Sequence, residues 1–176
     1  LTIFSIKMFF NKKEIKISEQ YLNQGYIIQN VDDVKSLDWI RNHFCKIIYV
    51  TLPKLKKNKP NNILNNIHQN IEIADLNKFR LNIFNKINSI NNFRENFYKI
   101  SKSLVDSIVG NEVAMQLRVN LSIQLPKDDS SLLPVHADTW SGVSPFETVI
   151  WLPLVDCYNT KSMYILPPKK NEILNK

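Results

Sequence analysis

Cysteine, glycine and long apolar runs are what this chain of 176 residues has least of. Two cysteines, Cys45 and Cys157, exclude a disulfide framework and any Cys-based zinc cluster. Three glycines, beside 44% hydrophobic and 22% charged residues, exclude collagen-like, disordered and low-complexity scaffolds as the main account. No run approaches the ~20 apolar residues of a membrane helix. Leu1 to Phe10 is apolar but lacks a basic leader and a small-residue cleavage site, so it is not read as a targeting segment. Met8 is the expected true start, with Leu1 to Lys7 as upstream read-through. A cytoplasmic location follows by default, with both thiols reduced.

Lysine, asparagine and isoleucine are plentiful instead, and the formal net charge is +7. The lysines are scattered, apart from Lys54, Lys56, Lys57 and Lys59. A-rich codons supply Lys and Asn together, so the composition alone gives no nucleic-acid partner. The length suits one domain burying roughly 70% of its unfolded surface.

The first two-thirds reads as helical. Ser18 is placed as the cap of a short helix ending at Gln24, and Gly25 opens an expected strand over 26–31. Asp32 or Asp33 caps the next helix, whose apolar positions Val34, Leu37, Ile40, Phe44 and Ile47 share one face. Pro53 ends it, and a polar loop runs from Lys54 to Asn62. A second helix fits Asp75 to Ile90, with Leu76, Phe79, Ile83, Ile87 and Ile90 inward. A third fits Asn92 to Val109, and Gly110 sits where a left-handed terminator belongs.

After Gly110 the period changes to two. Val113, Met115, Leu117, Val119, Leu121 and Ile123 alternate with Ala114, Gln116, Arg118, Asn120, Ser122 and Gln124, the pattern of a half-buried strand. Further extended runs are expected at 132–138, 146–155 and 162–166. Helices first and strands after predict an α+β fold with an antiparallel sheet. The chain reads as a single, partial domain, helical over 1–110 and strand-forming over 111–176.

Of the three histidines, His43 and His68 read as packing or surface residues. His136 stands in Leu133-Pro134-Val135-His136-Ala137-Asp138-Thr139-Trp140. Residues i and i+2 of an extended segment point to the same side, so His136 and Asp138 can converge on one ion while Ala137 points away. Two ligands of a 2-His-1-carboxylate iron site are supplied in this way. The competing reading is that Asp138 only orients His136 or caps a turn.

The stretch from Leu121 to Pro126, then Asp128 to Gly142, resembles a known family, as does the continuation Ser144 to Glu147, Trp151 to Cys157 and Lys161 to Tyr164. It is similar to the iron(II)/2-oxoglutarate-dependent oxygenases of sporadic bacterial carbohydrate-biosynthesis clusters, relatives of the phytanoyl-CoA dioxygenase group. The resemblance is specific over Leu117 to Pro168. It implies helices packed on a double-stranded β-helix, a jelly roll of eight strands. It implies His136 and Asp138 as iron ligands, 2-oxoglutarate and iron(II) as cofactors, dioxygen as cosubstrate and a sugar-derived small molecule as substrate. No nucleic acid and no membrane are expected as partners.

Asn120 and Gln124 are the candidates for holding 2-oxoglutarate, with Ser122 and Arg118 on the same polar face. Trp140 and Trp151 are candidates for stacking on a sugar. Thr139, Ser141 and Gly142 suggest a loop over the metal, and Tyr164 a residue near the cosubstrate. The family also needs a distal histidine followed by a basic residue, and no histidine follows Asp138. The expectation is therefore a truncated reading frame that holds iron weakly and does not turn over. The alternatives are a cupin-like sugar isomerase or epimerase and a non-catalytic carbohydrate-binding β-sandwich.

Overall fold

A computed structural model describes residues 10–56 and 58–173. Met8 and the rest of 1–9 lie outside the described residues, as does Lys57. About half of the chain is helical. The described residues divide into two compact units: those of 10–32, 101–114 and 157–173 form one, and those of 33–100 with 115–156 form the other.

In the first unit, helix α1 runs Lys12–Gln24. Asn11 caps it, accepting from the amides of Lys13 (2.9 Å) and Glu14 (3.0 Å), while the Glu14 carboxylate accepts from the Asn11 amide at 2.7 Å. This reciprocal capping box satisfies donors that a helix start leaves open. Ser18 is therefore mid-helix, and its hydroxyl donates to the Ser107 carbonyl at 3.1 Å. That bond ties α1 to α6, Lys102–Ile108. Gly25 ends α1 in the left-handed region at φ 75°, where only glycine is unstrained. A short 3-10 segment, Pro168–Ile173, returns to pack on α1.

The second unit holds the larger core. Helix α2 runs Val34–Thr51. Asp33 caps it through the amides of Lys35 (2.9 Å) and Ser36 (3.2 Å). Helices α4, Leu76–Asn88, and α5, Phe93–Lys99, pack against it. Leu37, Ile40, Phe44 and Ile47 of α2 meet Leu76, Phe79, Ile83 and Ile87 of α4 in the buried set. Phe93 joins them with its ring centroid 6.0 Å from those of Trp39 and Phe44. Val34 departs from the expected face and stays exposed. The stretch after α2 is more structured than a polar loop. It forms a 3-10 turn at Pro53–Leu55 and helix α3, Pro60–Asn65, with Leu55, Ile63 and Leu64 buried.

One helix expectation needs correction. The third helix is broken between Lys99 and Lys102 by Ile100 and Ser101, both buried. Of the two capping candidates, Asp33 caps α2 as expected. The Asp32 carboxylate accepts from the Ser103 amide and hydroxyl, each at 2.8 Å, at the start of α6.

The sheet is the larger correction. Among the described residues there is no sheet, only one isolated bridge between Tyr158 and Lys161, so the fold is mostly helical and not α+β with a jelly roll. The expected early strand at 26–31 is also absent, and Ile28 is exposed. Proline explains part of this: Pro134 lies inside the run 132–138 and Pro153 inside 146–155. Each removes a ladder donor. A strand also gains its bonds only from a neighbour in register, and few short runs cannot close a jelly roll. The β-sandwich and cupin alternatives lose their architectural footing by the same observation.

The alternation nonetheless survives as burial. Val119 and Leu125 are buried and Val113, Met115, Leu121 and Ile123 half-buried, while Ala114, Gln116, Arg118, Asn120, Ser122 and Gln124 are exposed. Leu117 alone among the apolar positions faces out. Side chains from the helices hold this segment in place of a ladder. The Arg94 guanidinium donates to the Met115 carbonyl at 2.8 Å. Asn88 bonds both polar groups of Val119. Among the described residues no helix is long and apolar enough to cross a membrane.

Candidate functional site

The segment around His136 is built by a tight turn. Ala137 is extended (φ −114°, ψ 138°), which places its two neighbours on the same side. Asp138–Ser141 then forms one 3-10 turn, closed by Trp140 N–H donating to the Ala137 carbonyl at 2.9 Å. Gly142 ends it at φ 85°, and Val143 N–H donates to the Asp138 carbonyl at 3.3 Å.

This backbone brings His136 Nε2 to 3.5 Å from Asp138 Oδ1. His136 Nδ1 lies 2.7 Å from the Pro134 carbonyl, which can only accept. Nδ1 therefore carries the proton in the neutral ring, and Nε2 presents its lone pair towards the carboxylate side. A carbonyl on the far nitrogen is the usual support of a metal-ligating histidine. Both side chains are about half exposed, 41% and 52%. As an ion pair in water they would stabilise the fold little.

Two donor atoms 3.5 Å apart can both reach one cation at the ~2.1 Å distances of nitrogen and oxygen ligands. The donor set, one imidazole and one carboxylate, suits iron(II). Among the described residues no group of three His, Cys, Asp or Glu gathers at one point, so no third such residue joins the pair.

The other candidates are dispersed. Asn120 is exposed. The Gln124 amide donates to the Ser131 carbonyl at 3.3 Å. No described hydrogen bond or ion pair joins either to His136 or Asp138. The exposed Arg118 guanidinium lies 5.9 Å over the Phe84 ring. Ser122, Thr139 and Ser141 are exposed. Trp140 and Trp151 are exposed too, at 69% and 47%, as a stacking role needs and a core role does not. In the other unit, Tyr164 is exposed and its hydroxyl donates to the Asn159 carbonyl at 3.3 Å.

The residues that organise this region were not singled out in the sequence. Asp128 is buried and accepts from the Ser130 amide at 3.0 Å and the Ser131 hydroxyl at 3.1 Å, shaping the turn before His136. Its carboxyl is held below the usual range, chiefly by the Ser130 hydroxyl. Asn65 fastens the far end of the segment, accepting from the Asp156 amide at 2.9 Å and donating to its carboxylate at 3.0 Å. Two aspartates followed by two serines, 128–131, are a legible turn signal. An asparagine in so asparagine-rich a chain offers no contrast. An open depression of about 260 Å³ lies elsewhere, lined by Asn88, Ile90, Asn92, Phe93, Arg94 and Glu95, and contains none of the candidate ligands.

No protein-family model, no curated protein and no solved structure matches the chain.

Proposed function

We propose that this chain belongs to an iron(II)/2-oxoglutarate-dependent oxygenase acting on a carbohydrate or carbohydrate-linked metabolite, with His136 and Asp138 as two of its iron ligands. One observation carries the reading: Nε2 of His136 and Oδ1 of Asp138 converge at 3.5 Å while the Pro134 carbonyl holds the opposite ring nitrogen. The motif from Leu117 to Pro168 supports it. The jelly roll does not enter, and the third ligand has to come from outside the pair's own segment.

Bound iron(II) with 2-oxoglutarate supplies the oxidising power to functionalise an unactivated C–H bond. The chain's own residues bind and orient. Pro134 fixes the tautomer of His136, so that the neutral ring offers Nε2. Asp138 supplies the anionic oxygen, and its position is set by the turn that Gly142 closes. Asn120 and Gln124 are assigned to the cosubstrate carboxylates. Gln124 would exchange the Ser131 carbonyl for that partner. Trp140, exposed two residues beyond Asp138, is placed to stack on a sugar ring. The proposed compartment is the cytoplasm.

Anaerobic equilibrium dialysis against iron(II), with and without 2-oxoglutarate, tests the reading without requiring turnover. Iron retention that rises with 2-oxoglutarate and is lost in both His136→Ala and Asp138→Ala is the expected result. Equal retention by the parent chain and the two variants would sink it.

A further inference from the structure

The charge of this protein is concentrated in one place. Between Trp39 and Ile71 stand Arg41, Lys46, Lys54, Lys56, Lys57 and Lys59, with no Asp or Glu. These six account for nearly all of the formal net charge of +7. Codon bias raises lysine throughout a chain, but it does not clear one stretch of carboxylates.

The fold turns part of this stretch into a fixed surface. The stretch after α2 is fastened at three points: Leu55 is buried, Tyr49 donates its hydroxyl to the Asn58 carbonyl at 3.1 Å, and the buried Cys45 thiol lies 4.0 Å from the Pro60 carbonyl. Between and beside these anchors Lys54, Lys56 and Lys59 are exposed. Among the described residues none of the three forms an ion pair. The carboxylate that hydrogen bonds bring to α3 is Asp156, held by Asn65 at the last residue of that helix. The neighbouring exposed side chains are Asn58, Asn61 and Asn62, amides that both donate and accept.

We propose that the face formed by Lys54, Lys56 and Lys59 binds the phosphate backbone of a nucleic acid. Lysines supply sequence-independent attraction to phosphates, and the amides between them suit phosphate, sugar and base edges. A lipid surface fits less well, because membrane-surface docking buries an apolar face and the loop's own apolar residue, Leu55, is turned inward. Val50 is the exposed apolar side chain at the end of α2. This inference is independent of the iron site, whose residues it does not use.

Fluorescence anisotropy with a labelled single-stranded oligonucleotide of mixed sequence tests it, read between about 50 and 200 mM salt. Binding that weakens with salt is expected. The triple variant Lys54→Gln, Lys56→Gln, Lys59→Gln should lower the log–log salt slope by about 2, since each contact to a single strand contributes ~0.7. Lys12→Gln, Lys13→Gln, Lys16→Gln removes the same charge from the other unit and should leave the slope unchanged. Equal losses in the two variants would show a net-charge effect and overturn the proposal. So would the absence of oligonucleotide binding, or lysine-dependent binding to phosphatidylserine vesicles alone. Should the triple variant lose its helical circular dichroism, the three single variants replace it, each expected to lower the slope by about 0.7.

Discussion

Asn88 stands to Val119 as a neighbouring strand would. Its side-chain oxygen accepts from the Val119 amide at 2.7 Å, and its side-chain nitrogen donates to the Val119 carbonyl at 3.0 Å. One amide at the end of α4 thus satisfies both polar groups of a residue whose side chain is buried and whose backbone has no ladder. Buried backbone groups left unpaired are costly, so the contact decides whether 115–125 stays on the helices.

Asn88→Ala should destabilise the protein by about 1–3 kcal/mol, the cost of orphaning buried polar groups. Amide hydrogen exchange gives the sharper reading. The Val119 amide should lose its protection while the amides within α4 keep theirs. Unchanged exchange at Val119 would count against this role.

Gly25→Ala should be destabilising for two separable reasons. At φ 75° a Cβ is strained, and the added atom would lie 2.7 Å from Pro168 Cδ. A loss of about 1 kcal/mol or more is expected from urea melts. The double variant with Pro168→Gly should recover the steric part and leave the backbone part.

Asp33 should make stability depend on acid pH. Its carboxyl is held below the usual range, first by the Ser36 hydroxyl and then by the Ser36 amide, with lesser help from the Lys35 amide and the Lys99 charge, while burial opposes them. A depressed folded-state pKa stabilises the fold above the ordinary value of 3.8, and that contribution is lost as pH falls through the depressed value. Asp33→Ala should therefore be less stable than the parent at neutral pH, with the two converging in strong acid. Melting temperatures taken across pH 2 to 7 check this, and a constant gap would contradict it.

The two thiols should react in sequence. Burial pushes the Cys45 thiol up to about 11, which leaves almost no thiolate at neutral pH, whereas Cys157 is exposed. A thiol reagent should modify Cys157 in the native protein and reach Cys45 only on unfolding. Peptide mapping after a brief labelling pulse distinguishes the two sites.

What could be read from the sequence was what is encoded locally. The helix faces Leu37, Ile40, Phe44, Ile47 and Leu76, Phe79, Ile83, Ile87 follow from a 3.6-residue repeat, and those side chains are buried. The convergence of His136 and Asp138 is an i, i+2 relationship and was equally legible. The sheet was not, because pairing depends on distant partners while the alternation of 113–125 shows only which side turns inward. Here that inward side meets helices, and Asn88 and Arg94 replace the missing strand. The break at Ile100 and Ser101 carries neither glycine nor proline to announce it. The lysine run was legible as a run, but not as a face, since the burial of Leu55 and the Tyr49–Asn58 and Cys45–Pro60 contacts that fix it are not local patterns.

The first unit is assembled from three stretches separated along the chain, 10–32, 101–114 and 157–173. Its first helix is synthesised before the stretch 33–100, yet the Ser107 carbonyl that receives Ser18 and the Pro168 that closes over Gly25 follow that stretch. The principal core of the other unit, 33–100, is synthesised in between without interruption. Translation order therefore sets a folding order: the inner helices can assemble as soon as 33–100 is made, and α1 waits for partners made later. A stalled or shortened translation product would carry α1 with its Ile17 face uncovered, the kind of surface that chaperones and proteases recognise.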